Sequence, residues 1–114
     1  MHHELGIAQS ILNGVLQEAQ QRRVQRILGV HLNIGALKAV SAEALQFHFQ
    51  CLAEGTAAEG AALHITAIPP SARCSACMHE FDPDHMLATC PQCDSPRIEV
   101  TAGLELFVDA IDVA

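Results

Sequence analysis

Cys74-Ser75-Ala76-Cys77, then twelve residues, then Cys90-Pro91-Gln92-Cys93 is the stretch that organises this chain. In each C-x-x-C the two intervening residues let the backbone turn tightly, so both sulfurs reach one ion. The twelve-residue arm closes the tetrahedron from the other side. Zn(II) accepts four thiolates without redox chemistry, and a site with four protein ligands leaves no open position for a substrate. Cys74, Cys77, Cys90 and Cys93 are therefore expected to hold structural zinc rather than to form disulfides or a redox pair. The segment around them, 71–98, is rich in turn signals such as Asp82-Pro83-Asp84 and Asp94-Ser95-Pro96 and poor in apolar residues. The metal must then supply most of its folding free energy, roughly 10 kcal/mol or more for a structural zinc site.

Outward from this segment the pattern changes. Pro69-Pro70 precedes it, and neither residue can donate to a ladder, so the pair reads as a semi-rigid boundary. Residues 61–68 upstream read as a strand. Residues 5–22 read as an amphipathic helix in which Leu5, Ala8, Leu12, Val15 and Ala19 recur at spacings of three and four. From Arg26 to Gly35 the period falls to two, with Leu28, Val30, Leu32 and Ile34 on one face and His31 on the other, a strand with one well-buried side. Ser41 is placed to cap a second helix from Ala42 to about Glu54, with Glu43 in its first turn and Gly55 as its stop. Ile98 to Val113 returns to strand character, with Gly103 as a turn or break, and is expected to rejoin the sheet that the first two strands began. The fold class expected is α+β: two helices packed on a small three-stranded sheet, with an inserted zinc-ribbon-like module of four cysteines. The domains expected are 1–70 plus 99–114, and 71–98.

At 114 residues the chain makes one main domain, and half of its residues are hydrophobic. It has no Trp or Tyr and four Phe, so the core must be aliphatic. The net charge is −7 with six basic residues, too few to neutralise a phosphate backbone, which argues against nucleic acid as the partner. Arg22, Arg23 and Arg26 fit a solvated helix end, where cations meet the dipole favourably. No apolar run spans a bilayer, and the first residues lack the pattern of a secretory signal. Five cysteines, four of them in the metal pattern, suit a reducing compartment. Cys51 is expected to be a packed free thiol in the second helix.

The other chemical feature is Met1-His2-His3-Glu4. A free amine, the following amide nitrogens and an imidazole from His2 or His3 can chelate one ion with four nitrogens. Cu(II) and Ni(II) tolerate such square-planar donation, whereas Zn(II) prefers a tetrahedron. The alternative is a pair of solvated terminal histidines. Such a site suits carrying an ion more than catalysis. The chain shows no convincing nucleophile–base pair, paired carboxylates, phosphate loop or nucleotide fingerprint, so it is not expected to be an enzyme.

With these residues in view the chain resembles the HypA/HybF family of hydrogenase nickel-incorporation proteins over essentially its whole length. The resemblance rests on Met-His-(His)-Glu-Leu followed by Ala8-Gln9-Ser10-Ile11, on Leu32-Asn33-Ile34-Gly35, and on Ala53 to Gly60. It rests also on the two cysteine pairs and on Gly103-Leu104-Glu105-Leu106. It implies a cytoplasmic metallochaperone that delivers Ni(II) to the maturing [NiFe]-hydrogenase large subunit together with the GTPase HypB, with urease maturation factors as further partners in some bacteria. By position it puts zinc on Cys74, Cys77, Cys90 and Cys93 and nickel on Met1, His2 and the residue after it, here His3. Glu4 is displaced by one residue from the family's Met-His-Glu pattern, and Ala36 stands after Gly35 where a carboxylate is common. Glu4 and His79 are candidates to support the bound ions; His79 and His85, close in sequence to the cysteines, are either solvated arm residues or groups through which the zinc site responds to pH or nickel. The competing reading is a zinc-ribbon adaptor with no role in nickel delivery; a redox use of Cys74 and Cys77 would need one pair free of metal. Either a monomer or a homodimer formed by strand exchange fits the pattern.

Overall fold

The computed structural model describes residues 3–83 and 89–114. Met1, His2 and His85, three of the residues singled out above, lie outside these. The elements in chain order are α1 (Glu4–Gln21), β1 (Ile27–Gly35), a 3-10 turn (Ala36–Lys38), α2 (Ala42–Ala53), β2 (Ala62–Ile68), β3 (Ser71–Cys74), β4 (Glu80–Phe81), β5 (Ile98–Ala102) and β6 (Leu106–Val113). They form two three-stranded sheets, ordered β2-β1-β6 and β4-β3-β5. The fold is α+β, as expected. None of the described helices is long and apolar enough to cross a membrane.

The chain divides into two compact units. One comprises Met1–Asn33, Ala39–Thr66 and Phe107–Ala114; the other comprises Ile34–Lys38 and Ala67–Leu106. In the first, α1 packs on α2. Its buried side chains are Ala8, Ile11, Leu12, Val15 and Ala19 of α1, Leu45, Phe49 and Ala53 of α2, and Ile27, Val30, Leu32 and Leu63 of the sheet. Each fully buried Val, Leu, Ile or Phe stabilises by roughly 1.5–3 kcal/mol, so these side chains supply a core to this unit that contains none of the four C-x-x-C cysteines. Ser41 does cap α2: its Oγ accepts from the Ala44 N–H at 3.2 Å with extended backbone at the cap. Arg22 pairs with Glu18 one turn back, at 2.6 Å, on an exposed face, in keeping with a solvated helix end.

Three expected burials are corrected. Leu5 is 50% exposed, and the α1 face instead begins at Glu4, which is 4% exposed. The carboxylate is stable inside because Glu4 Oε2 accepts the Ser41 backbone N–H at 2.9 Å. Leu28 is 47% exposed although it alternates with Val30 and Leu32. Cys51 is exposed on α2, not packed, because α2 buries the stripe Leu45, Phe49 and Ala53 and Cys51 lies off it.

The second unit carries the sheet β4-β3-β5, antiparallel throughout. The stretch Ile98 to Val113 splits at Gly103. Its second half, β6, rejoins β1 as expected: Ala114 N donates to Arg26 O and Gly35 N donates to Glu105 O, so the strands run antiparallel. Its first half, β5, pairs instead with β3, with Arg73 opposite Glu99 and Cys74 opposite Ile98.

Candidate metal centres

The four cysteines of the C-x-x-C pairs converge. Cys74 Sγ lies 3.6 Å from Cys93 Sγ, and Cys77 Sγ lies 3.7 Å from Cys90 Sγ. All four sulfurs lie within 4.8 Å of one another. A disulfide needs about 2.05 Å, and all four thiols are free. A regular tetrahedron with metal–sulfur bonds of about 2.3 Å has edges of about 3.8 Å, which the two short separations match. Cys74 and Cys90 are fully buried, one from each pair.

The two pairs are held by the same turn, used twice. Met78 N donates to Cys74 O at 2.8 Å and Asp94 N donates to Cys90 O at 2.9 Å. Cys74 N donates to His79 O at 2.9 Å and Cys90 N to Ser95 O at 2.8 Å. Met78 and Asp94, each four residues after the first cysteine of its pair, both have φ of 65°. Backbone N–H groups of Ala76 and Cys77 point at Cys74 Sγ, and that of Gln92 points at Cys90 Sγ. Such donors stabilise thiolates. The Cys77 N–H, with the Ala76 N–H and the neighbouring thiols behind it, lowers Cys74 to about 6 against the opposing effect of burial. Cys93 moves the other way, up to about 12: the Ser95 backbone lowers it, but burial and the thiols of Cys74, Cys77 and Cys90 outweigh that. Cys77 is raised as well, since burial and the neighbours Cys90 and Cys74 outweigh the His79 backbone. Cys74 thus ionises readily while Cys77 and Cys93 resist a second negative charge so close by, which is the electrostatics of a site suited to a cation.

His79 enters this centre through its carbonyl, whereas its ring stacks on Phe81 with centroids 5.9 Å apart. The structural reason for the cysteine spacing was legible beforehand; the paired left-handed residues were not. Asp94 suits that conformation, but nothing in Met78 announces it.

At the other end of the chain, His3 directly precedes α1. Its carbonyl accepts from Ile7 N at 2.9 Å, and its exposed side chain makes no capping bond. Glu4 follows, tied to the first residue before α2 through Ser41 N. The segment Met1-His2-His3 is therefore continuous with a residue fixed in the core. Glu4→Ala should leave the Ser41 N–H without this acceptor and destabilise the chain by about 1–3 kcal/mol, readable as a lower urea midpoint; Glu4→Gln, which keeps an oxygen at the same distance, should recover part of it.

A third group of ligand atoms was not foreseen as a site. His31, His64 and Asp112 bring ligand atoms within 4.8 Å of one another. His31 lies on the less buried face of β1, as the alternation of the strand predicts. No spacing signal links positions 31, 64 and 112; only the strand order assembles them.

The whole chain, residues 1–113, matches the family model described as "HypA: Hydrogenase/urease nickel incorporation, metallochaperone, hypA". It is 40% identical over 114 residues to "Hydrogenase maturation factor HypA" of Acidithiobacillus ferrooxidans, covering 97% of this chain and 98% of that one. It is 39% identical over 111 residues to "Hydrogenase maturation factor HybF" of Salmonella typhimurium, with 97% and 98% covered. Among solved structures it shares the fold of "Solution structure of HypA protein", with a TM-score of 0.75 at 22% identity over 98% of this chain and 96% of that one. It also shares that of "Solution structure of the Ni metallochaperone HypA from Helicobacter pylori", with a TM-score of 0.69 at 23% identity over 99% and 97%.

Proposed function

Because the chain belongs to the HypA family of hydrogenase/urease nickel-incorporation metallochaperones, we propose that it carries Ni(II) on Met1, His2 and His3 and delivers it during maturation of [NiFe]-hydrogenase. The large subunit of that enzyme is the proposed recipient, the GTPase HypB the proposed co-worker and the cytoplasm the proposed compartment. Urease maturation factors are a further proposed set of partners, in keeping with the breadth of the family description. The four cysteines are the proposed zinc ligands; a closed tetrathiolate holds the fold and has no position from which to hand over an ion.

The observation that carries the reading is the match from residue 1 through 113, which includes the Met-His-His-Glu start as well as the cysteine pairs. The anchoring of Glu4 supports it, since a chelate needs its donors held near one geometry. Nitrogen donors from the amine, the amides and one imidazole suit Ni(II). Within this scheme Glu4 acts by fixing the segment. Holding and releasing a cargo ion requires no reaction step, so no enzymatic role is proposed.

Nickel titration of untagged, zinc-loaded protein tests this. One equivalent of the bound Ni(II) should show the absorption bands of a square-planar nitrogen site. His2→Ala or His3→Ala, whichever removes the coordinating ring, should weaken it, and an extension before Met1 should abolish it by removing the free amine. Equal binding with one spectrum in all of these proteins would refute the proposal.

A further inference from the structure

His31 lies in β1, His64 in β2 and Asp112 in β6, and these three strands are neighbours in the order β2-β1-β6. Alternation places all three side chains on the solvent side: Val30 and Leu32 flank His31 and are buried, Leu63 precedes His64 and is buried, and Ile111 precedes Asp112 and is half-buried. His31 Nε2 lies 2.8 Å from Asp112 Oδ2, with side chains 39% and 55% exposed. The His31 and His64 rings are stacked, centroids 4.6 Å apart and planes 17° apart.

Gly29 stands beside them. It sits inside a strand, where a glycine weakens the element and often marks a close approach of another group. A Cβ there would lie 2.8 Å from Asp112 Oδ2 and 3.5 Å from His64 Nε2. The absent side chain is what lets the carboxylate and the second imidazole reach the same point above β1.

We propose that His31, His64 and Asp112 form a separate binding site for a first-row divalent transition-metal ion on the exposed face of this sheet. Two imidazoles and one carboxylate are borderline-to-hard donors suited to Ni(II), Co(II), Zn(II) or Fe(II). Three ligands from one side leave the outward positions to water, so the ion is exchangeable, unlike one enclosed by four cysteines. Ligand atoms on a tetrahedral ion with bonds of about 2.1 Å are about 3.4 Å apart. The His31–Asp112 pair is already closer than this, and His64 needs only side-chain rotation at an exposed position. The site does not depend on nickel delivery or on the N-terminal chelate.

The test uses zinc-loaded full-length protein carrying His2→Ala and His3→Ala, titrated with Co(II), Ni(II) and Zn(II) in turn. Calorimetry should find one further equivalent, and paramagnetic Co(II) should broaden the ring signals of His31 and His64 together. His64→Ala or Asp112→Asn in the same background should weaken this binding at least about 100-fold, since even outer partners of a metal ligand contribute 10–100-fold. Gly29→Ala should weaken it while leaving the amide spectrum folded, which separates loss of the site from loss of the protein. If the His2/His3 variant takes up no further equivalent, or if Co(II) spares the His31 and His64 signals, the three residues are a cross-strand ion pair with a stacked ring and the proposal fails. Binding that is unchanged in His64→Ala and Asp112→Asn overturns it equally. The ranking of the three ions identifies the preferred occupant.

Discussion

Removing the zinc proposed for Cys74, Cys77, Cys90 and Cys93, or replacing Cys90 by Ser, should unfold the segment around the cysteine pairs while leaving the helical unit folded. The reason is the distribution of buried groups. From Ser71 to Ala102, the buried hydrophobic residues among those described are Ala72, Cys74 and Cys90, and two of the three are proposed ligands. Two paired turns and three short strands cannot offset the conformational entropy of ordering the described residues of this stretch, which costs about 1–2 kcal/mol each in backbone alone. A structural zinc supplies roughly 10–16 kcal/mol. The α1–α2 unit has its own core from Ala8 to Leu63 and loses nothing directly. With no Trp or Tyr in the chain, fluorescence is a poor readout; amide NMR before and after a strong chelator is the measurement. Collapse of the 71–102 resonances with the Ala8–Phe49 set still dispersed is the expected result, and a fully dispersed spectrum in the chelated protein would show that the metal is dispensable.

Acid should do the same, and its direction follows from the thiols. In the metal-free site Cys74 is lowered to about 6, so its thiolate persists above that pH and is lost as pH falls through it. Cys93 is raised to about 12 and so stays protonated across neutral pH until an ion displaces the proton. Zinc uptake near neutrality therefore releases protons, and affinity falls as pH falls. A bound dication holds protons off every sulfur further still, so release belongs at or below about pH 6, where even Cys74 is reprotonated.

The cysteine module was legible because its chemistry is local: spacing alone brings two sulfurs together. The helices were legible because their apolar residues repeat at 3.6. Glu4 shows where that logic ends. A period argument excludes a carboxylate from a core face, yet Glu4 is inside, because its partner is an N–H 37 residues away. Strand β3 was hidden because four residues with one small apolar side chain carry almost no pattern; its evidence is its pairing with Phe81 and with Ile98 to Ala102. Gly103 marked the break before β6, but a break does not say which sheet each half joins. The triad of His31, His64 and Asp112 is the extreme case, since three residues over 81 positions become neighbours only through strand order.

Gly35→Ala should be among the most destabilising single substitutions outside the cysteines. From sequence the glycine of Leu32-Asn33-Ile34-Gly35 is only the end of a strand. In the structure, a Cβ at this position would lie 2.0 Å from Gly103 O, 2.1 Å from Gly103 C and 2.5 Å from Leu104 N. All three are backbone atoms, so no rotamer change relieves the overlap. The two segments are held at this distance by Gly35 N donating to Glu105 O at 2.7 Å and Leu37 N to Gly103 O at 2.8 Å. Nor can the opposing loop retreat freely. Gly103 has φ of 109°, its own missing Cβ faces Pro70 Cα at 2.9 Å, and its N–H is held by Glu105 Oε1 at 2.7 Å. An added methyl must therefore break at least one backbone bond or push the turn away, and overpacking of this kind costs about 1–3 kcal/mol even where side chains can yield. With backbone on the opposing side, about 3 kcal/mol or more is expected, seen as a fall in the thermal midpoint and faster amide exchange at Gly35, Leu37 and Gly103. Gly29→Ala is the control within the same strand: its new methyl meets mainly the ends of flexible side chains, Asp112 Oδ2 and His64 Nε2. It should leave the midpoint near that of the parent. Equal stability of the two variants would show that the Gly35–Gly103 approach is not what fixes this turn.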